Sequence, residues 1–488
     1  MVSAGKHDSE FHGFGSFLLW GLVVYWLGVW VTAGIAAEPV VLREAIPVGT
    51  STQVRIELKA EGLFRPGLPP SAMSDEARMP KPLALDVKTR LIFSERLLVG
   101  GYDSERDADG LAQSSGRLAT SVPHRKAVRW VAQAASAING EVRRTADQLR
   151  PELALLVAER RGDDGAVVVV SPAGPMTRGE LELVEGLGDP LTLGDLLPRG
   201  SVARGDSWKL PASAVVALSG YEVLKSSTLE ATLEGLDPTT ARLHLKGQVQ
   251  GEVLGGTGTI VLDGRASFDR KAGIVNRLEL ERTESRQAGP VEAGLDVKST
   301  LTVIRRLAPR APELADPAIA GQSLDTSPPR QLLQLIAPEG KYNLLHDRSW
   351  HTYWDDPKLV VLKRIEKGRV VAQCNLAAGP PAGRGKHQDP RQFRDDIRRS
   401  LKDRFLQFLG AGEVDGDPAG GFRYKVGVQG REGELGVLWY YYLVGSPEGD
   451  QLLATFTLAQ DDAKSFGEQD LQLIGSLQWS QPVEGKKP

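Results

Sequence analysis

Between residues 38 and 306 apolar and polar positions alternate with period two, in short runs broken by Gly, Pro and Asp, the pattern of strands and turns. The run Gln53-Val54-Arg55-Ile56-Glu57-Leu58-Lys59-Ala60 alternates strictly, and Leu83 to Val99 reads as a further strand or strand pair. Leu153 to Glu159 and Ala166 to Val170 fit a hairpin turned at Arg161-Gly162-Asp163-Asp164-Gly165. Leu243 to Gly251, Thr259 to Leu262 and Ile274 to Glu281 alternate again, and the polar set in Asn276 to Glu281 predicts one solvated sheet face. Long antiparallel strands with one wet face suggest a curved sheet or half-barrel. A short helix fits Met176 to Glu185, where Thr177 stands three residues before Glu180 at capping-box spacing. The polar stretch 101–126 reads as a long loop.

Pro309, Pro312, Pro317, Pro328 and Pro329 interrupt the pattern over 307–329, which reads as an interdomain linker. Beyond it the periodicity becomes mixed. Leu359 to Ile365 and Val370 to Leu376 form a hairpin around Glu366-Lys367-Gly368-Arg369. A helix over 390–409 is expected next: Asp389 caps it, Pro390 takes the first turn, and Phe393, Ile397, Leu401, Phe405 and Phe408 line one face until Gly410. Tyr424 to Val428, Gly436 to Val444 and Leu452 to Leu458 read as a meander, closed by a helix carrying Phe466, Leu471, Ile474 and Leu477. The division expected is 1–37 signal peptide or signal anchor, 38–306 β-rich domain, 307–329 linker, 330–480 α/β domain and 481–488 polar tail. The fold class expected is α+β: an N-terminal apolar helix, a large antiparallel β domain and a C-terminal α/β sandwich.

Residues 14–37 carry no charge. At about 1.5 Å per residue a helix of that length spans a hydrocarbon layer of about 30 Å. Ile35-Ala36-Ala37 before Glu38 is an acceptable signal-peptidase site, whereas the long apolar run and the weakly charged residues before it suit an uncleaved anchor. Either reading places the rest of the chain in the cell envelope, periplasmic or otherwise extracytoplasmic, with the membrane as a partner through 14–37 if the segment is retained.

Composition narrows the function classes. The chain has 488 residues, 41% hydrophobic and 25% charged, enough for more than one packed core. A net charge of −3 lacks the basic excess of a nucleic-acid binder, so no nucleic-acid partner is expected. The single cysteine, Cys374, allows no internal disulfide and sits in a strand pattern that suits a buried apolar role. Gly251-Glu252-Val253-Leu254-Gly255-Gly256-Thr257-Gly258 lacks the Lys of a phosphate loop and reads as a turn. No G-x-S-x-G elbow occurs. His346 and His351 flank Asp347 without zincin spacing, and Asp355-Asp356 precede Pro357 as in an exposed turn. The basic residues Arg391, Arg394, Arg398, Arg399, Lys402 and Arg404 read as a solvated helix face, and Trp439-Tyr440-Tyr441-Tyr442 as rings alternating between two sheet faces. No catalytic, cofactor-binding or metal-ligating residue is nominated, and no cofactor.

Across about 335–480, the order of features resembles the Mog1/PsbP-like group. Tyr342-Asn343-Leu344-Leu345-His346-Asp347-Arg348-Ser349-Trp350 opens the region, two strands, the long helix and three strands follow, and a helix ending in Ile474-Gly475-Ser476-Leu477-Gln478-Trp479 closes it. The resemblance implies a sheet packed with helices and a role in binding or assembly. Leu196-Leu197-Pro198 leading into Gly205-Asp206-Ser207-Trp208, and Phe268-Asp269-Arg270-Lys271-Ala272-Gly273, resemble uncharacterised secreted β-rich domains of bacteria. The expectation is therefore a non-enzymatic envelope protein acting in binding or assembly, with a possible protein partner through 330–480. A carrier of a lipid or other apolar ligand, and a wall-active enzyme without a sequence signature, are the alternatives.

Overall fold

The computed structural model describes residues 38–66, 81–100, 124–141, 148–161, 166–414 and 421–480. The expected apolar helix in 14–37, most of the 101–126 loop and the 481–488 tail lie outside these residues. Among the described residues no helix is long and apolar enough to cross a membrane.

Twelve strands build one antiparallel sheet: β1 (Ser51–Arg65), β2 (Leu83–Val99), β3 (Arg125–Ile138), β4 (Leu155–Arg160), β5 (Val167–Val170), β6 (Ser207–Lys209), β7 (Val223–Ser227), β8 (Glu230–Leu236), β9 (Thr240–Val253), β10 (Gly256–Asp269), β11 (Ile274–Arg286) and β12 (Gly294–Leu307). Their order is β5-β4-β3-β2-β1-β12-β11-β10-β9-β8-β6, with β7 pairing β9 beside β8. Two meanders therefore run outward from the middle, where the first and last strands pair with Val54 opposite Arg305 and Leu58 opposite Leu301. Leu83–Val99 is one strand, not two.

Period-two patterning decides which face is covered. Val54 and Ile56, Leu91 and Phe93, Leu243 and Leu245, and Leu278 and Leu280 point to one side and are buried. The segment from Met176 to Tyr221 packs on that inner face through α1 (Arg178–Val184), a 3-10 turn at Leu193–Leu196 and α2 (Ala212–Ser219), forming one hydrophobic cluster with the strands. A seven-residue helix is marginal alone. Burial of Leu181 and Val184 holds α1, together with the complete Thr177–Glu180 capping box. Trp208 follows the Gly205 turn into this cluster, its indole N–H donating to Leu196 O at 3.1 Å. Residues 307–329 cross the outer face of β3 to β5, where Leu314 is buried against Val128, Val157 and Val170.

A second antiparallel sheet has the order β13-β14-β15-β19-β18-β17-β16, from β13 (Trp350–Asp356), β14 (Leu359–Glu366), β15 (Arg369–Gly379), β16 (Phe405–Glu413), β17 (Phe422–Glu432), β18 (Leu435–Gly445) and β19 (Gln451–Ala459). α3 (Pro390–Leu401) covers one face through Phe393, Ile397 and Leu401 against Val428 and Trp439. The other face carries α4 (Gln469–Gly475) and a small sheet of Leu333–Ile336, Tyr342–His346 and Gln478–Trp479. The two large sheets meet where the β9–β10 turn, Leu254-Gly255, abuts the β14–β15 turn, Lys367-Gly368. All four turn residues have positive φ, as a two-residue hairpin turn requires.

The α+β class is overturned: the described chain is mostly β, two large antiparallel sheets with a few short helices. Two misreadings inflated the helical share. The helix expected over 390–409 stops at Leu401, where Lys402 takes φ 51°, and Phe405 to Glu413 form the edge strand β16. Register shifts at Phe405/Gln407 and Phe408/Gly410 set Phe405 and Phe408 on the same face, 4.8 Å apart, so a bulged strand imitates helical spacing. The closing helix is also split, at Gly467 (φ 56°).

Candidate ligand cavity

The inner face of the large sheet is not completely filled. A cavity of about 390 Å³ remains between the strands and the two covering helices, within the range of small-molecule sites. Ile56, Leu58, Leu91 and Leu301 form its floor on β1, β2 and β12. α1 and the chain after it supply Glu182, Leu183, Glu185 and Leu187, and α2 supplies Val216 and Ala217. Thr89, Asp189 and Thr192 add polar groups. The void exists because α1 and α2 are too short to cover long strands: Ile56 and Leu91 lie under cover while Leu58 and Thr89, further along, are only half-buried.

Two carboxylates of the lining are perturbed. Burial raises the Glu185 pKa, against the guanidinium of Arg348, which pairs with it. Arg348 comes from the second sheet's side of the molecule and also donates to Val169 O at 2.5 Å and Gln331 O at 3.2 Å. Glu182 is exposed at the mouth; partial desolvation by the groups around it raises its pKa while Arg178 opposes the shift. Arg178 itself donates to Arg348 O at 2.6 Å and Trp350 O at 3.0 Å.

Beside the cavity lies a buried ion network. Arg129 binds Asp189 through two bonds of 2.7 Å and Glu95 at 2.9 Å. Arg305 meets Glu44 at 2.9 Å and Glu95 at 3.6 Å, and Arg125 meets Glu44 at 2.8 Å. Arg160 pairs with Asp195 and donates to Leu191 O at 3.1 Å. Burial works against the charge on Arg129, but Asp189 and Glu95 outweigh it and raise its pKa. Four arginines thus balance four carboxylates, so the group is neutral as a whole. It ties the loop from Asp189 to Asp195 to strands β2, β3, β4 and β12, and so fixes one wall of the cavity.

None of the residues weighed in the sequence lies in the cavity. Cys374, on β15, is fully buried within the second sheet's core, with its thiol pKa pushed up by burial. His346 donates its Nδ1–H to Asp347 O at 2.7 Å; burial lowers its pKa to about 4 and that of His351 likewise. Among the described residues no group of three or more His, Cys, Asp or Glu is placed to hold a metal. Asp356 turns the chain by accepting from Lys358 N at 2.9 Å. Trp439 packs under α3, while Tyr442 on the opposite face donates to Asp470 at 2.7 Å. The network and cavity were missed, although a signal exists. Glu95, Arg129 and Arg305 occupy the apolar phase of their strands, as in Leu91-x-Phe93-x-Glu95-x-Leu97. A charge in a core-facing position implies a buried partner.

No family model matches the chain, and no curated protein matches it. Among solved structures, one from Bacteroides thetaiotaomicron overlaps 32% of this chain at 11% identity and a TM-score of 0.23; the overlap spans half of that protein. Cyanobacterial PsbP from Synechocystis overlaps 31% of this chain and 93% of its own at 16% identity and a TM-score of 0.24. Pseudomonas aeruginosa OccK2 overlaps 85% of this chain and all of its own at 11% identity and a TM-score of 0.12. At these scores none of the likenesses bears on the chain's family or role.

Proposed function

We propose that this chain is a cell-envelope binding protein for an apolar ligand, which it holds between the inner face of the large sheet and helices α1 and α2. The cavity carries this reading: about 390 Å³ with a floor and roof mainly of Leu, Ile, Val and Ala side chains and polar groups at one side, in a place where a dense core would be the stable default. At ~0.8 kcal/mol per buried CH₂, a medium-length alkyl chain gains several kcal/mol on entering such a space. The uncharged run 14–37 supports an extracytoplasmic setting, and a retained anchor would keep the cavity at a membrane surface. The test is calorimetric titration of the purified full chain with dodecanol. Saturable binding of one molecule per chain is expected, and it should fall at least tenfold in Ala217→Trp, whose indole occupies the void. Absence of saturable binding, or equal binding by both proteins, defeats the proposal.

A further inference from the structure

The charged groups that line the cavity are all carboxylates: Glu182, Glu185 and Asp189. Two already have cationic partners, Arg348 for Glu185 and Arg129 for Asp189. Glu182 has no hydrogen bond or ion pair among the described residues. Arg178, one turn away on the same helix, spends its Nη2 on two backbone carbonyls and acts on Glu182 only through its charge, while the like charge of Glu292 opposes it. An open carboxylate therefore stands at the mouth of an apolar space whose floor is Ile56, Leu58, Leu91 and Leu301. That arrangement complements an amphiphile, with a tail for the floor and a positive head for the rim.

We propose that the ligand is a single-tailed amphiphile with a protonated amine head, its tail on the sheet floor and its ammonium on Glu182. The inference rests on the apolar-ligand reading above and adds the sign of the head group. A carboxylate head would meet the unpaired charge of Glu182 and be disfavoured. An alcohol would bind through its tail alone. Because Glu182 is exposed, the ammonium–carboxylate contact is that of a surface ion pair, worth up to ~1 kcal/mol.

The experiment compares dodecylamine, dodecanol and dodecanoate by titration into the full chain and into Glu182→Gln, with competition between amine and alcohol to show a shared site. The wild-type chain should bind the amine about fivefold more tightly than the alcohol, equivalent to ~1 kcal/mol, and the carboxylate most weakly. Glu182→Gln should bring the amine to the level of the alcohol measured in the same variant. An amine no tighter than the alcohol, or a preference that survives in Glu182→Gln, overturns the head-group assignment while alcohol binding still upholds the cavity. If the alcohol also fails to bind, both the assignment and the apolar-ligand reading fall.

Discussion

Arg129→Met probes the ion network with little change in volume. Arg129 is 2% exposed, and its loss removes the two 2.7 Å bonds to Asp189 and the 2.9 Å bond to Glu95, both of which are buried. Breaking a buried pair by removing one partner costs ~3–5 kcal/mol, because a charge is left without compensation. The lower end applies here: Glu95 retains Arg305 at 3.6 Å, and Asp189 still accepts from Leu191 N at 2.9 Å. A loss of ~3 kcal/mol is a large part of an ordinary folding stability of ~5–15 kcal/mol. Urea titration at neutral pH reads it as a lower midpoint at an unchanged slope. Neutralising the stranded carboxylate restores the balance of the network, so the double variant Arg129→Met, Asp189→Asn should be more stable than Arg129→Met alone, while Glu95 keeps Arg305 as its partner. A midpoint shift worth less than ~1 kcal/mol, or a double variant no better than the single one, would refute the claim that the network's value lies in charge compensation.

Thr177→Ala removes half of the capping box on α1 and should lower stability by ~1 kcal/mol in the same titration, with weaker dodecanol binding because α1 walls the cavity. Gly255→Ala should cost more than an exposed turn substitution normally does, since its Cβ would lie 2.3 Å from Gly368 O and the φ of 78° disfavours a side chain; thermal unfolding would show it. For His346, burial sets the folded pKa at about 4, with Arg178 also opposing protonation and Asp347 favouring it. The unfolded value is ~6.5, so the unfolded chain takes up the proton first. The associated stability is therefore complete above pH ~6.5 and drains away as the pH falls towards 4, by up to ~3 kcal/mol. His346→Asn should flatten that acid slope in urea midpoints measured across the window, and an unchanged slope would count against it.

The sequence revealed the strands better than what covers them. Alternation in Gln53 to Ala60 and Leu243 to Gly251 marks strands and a buried face, because the side-chain period of a strand is local. Turns such as Lys367-Gly368 are equally local, resting on residues that accept positive φ. Phe405 and Phe408 misled because a bulge changes the period without changing composition. The cavity was not legible: its floor joins Ile56 to Leu301, and no pattern along the chain states that α1 and α2 leave part of that face uncovered. Arg129 and Glu95 were legible in principle from their core-facing phase, but their pairing depends on strand neighbours and on the Asp189 loop.

The central claim is that an alkyl chain occupies the space between the inner sheet face and the two helices. Photo-cross-linking of the full chain with an alkyl alcohol carrying a diazirine on its tail, followed by peptide mapping, tests it most directly. The account predicts adducts on Leu183, Leu187, Val216 and Ala217, suppressed by excess dodecanol and absent in Ala217→Trp. Adducts confined to exposed side chains such as Leu406 and Leu409, and indifferent to dodecanol, would contradict it.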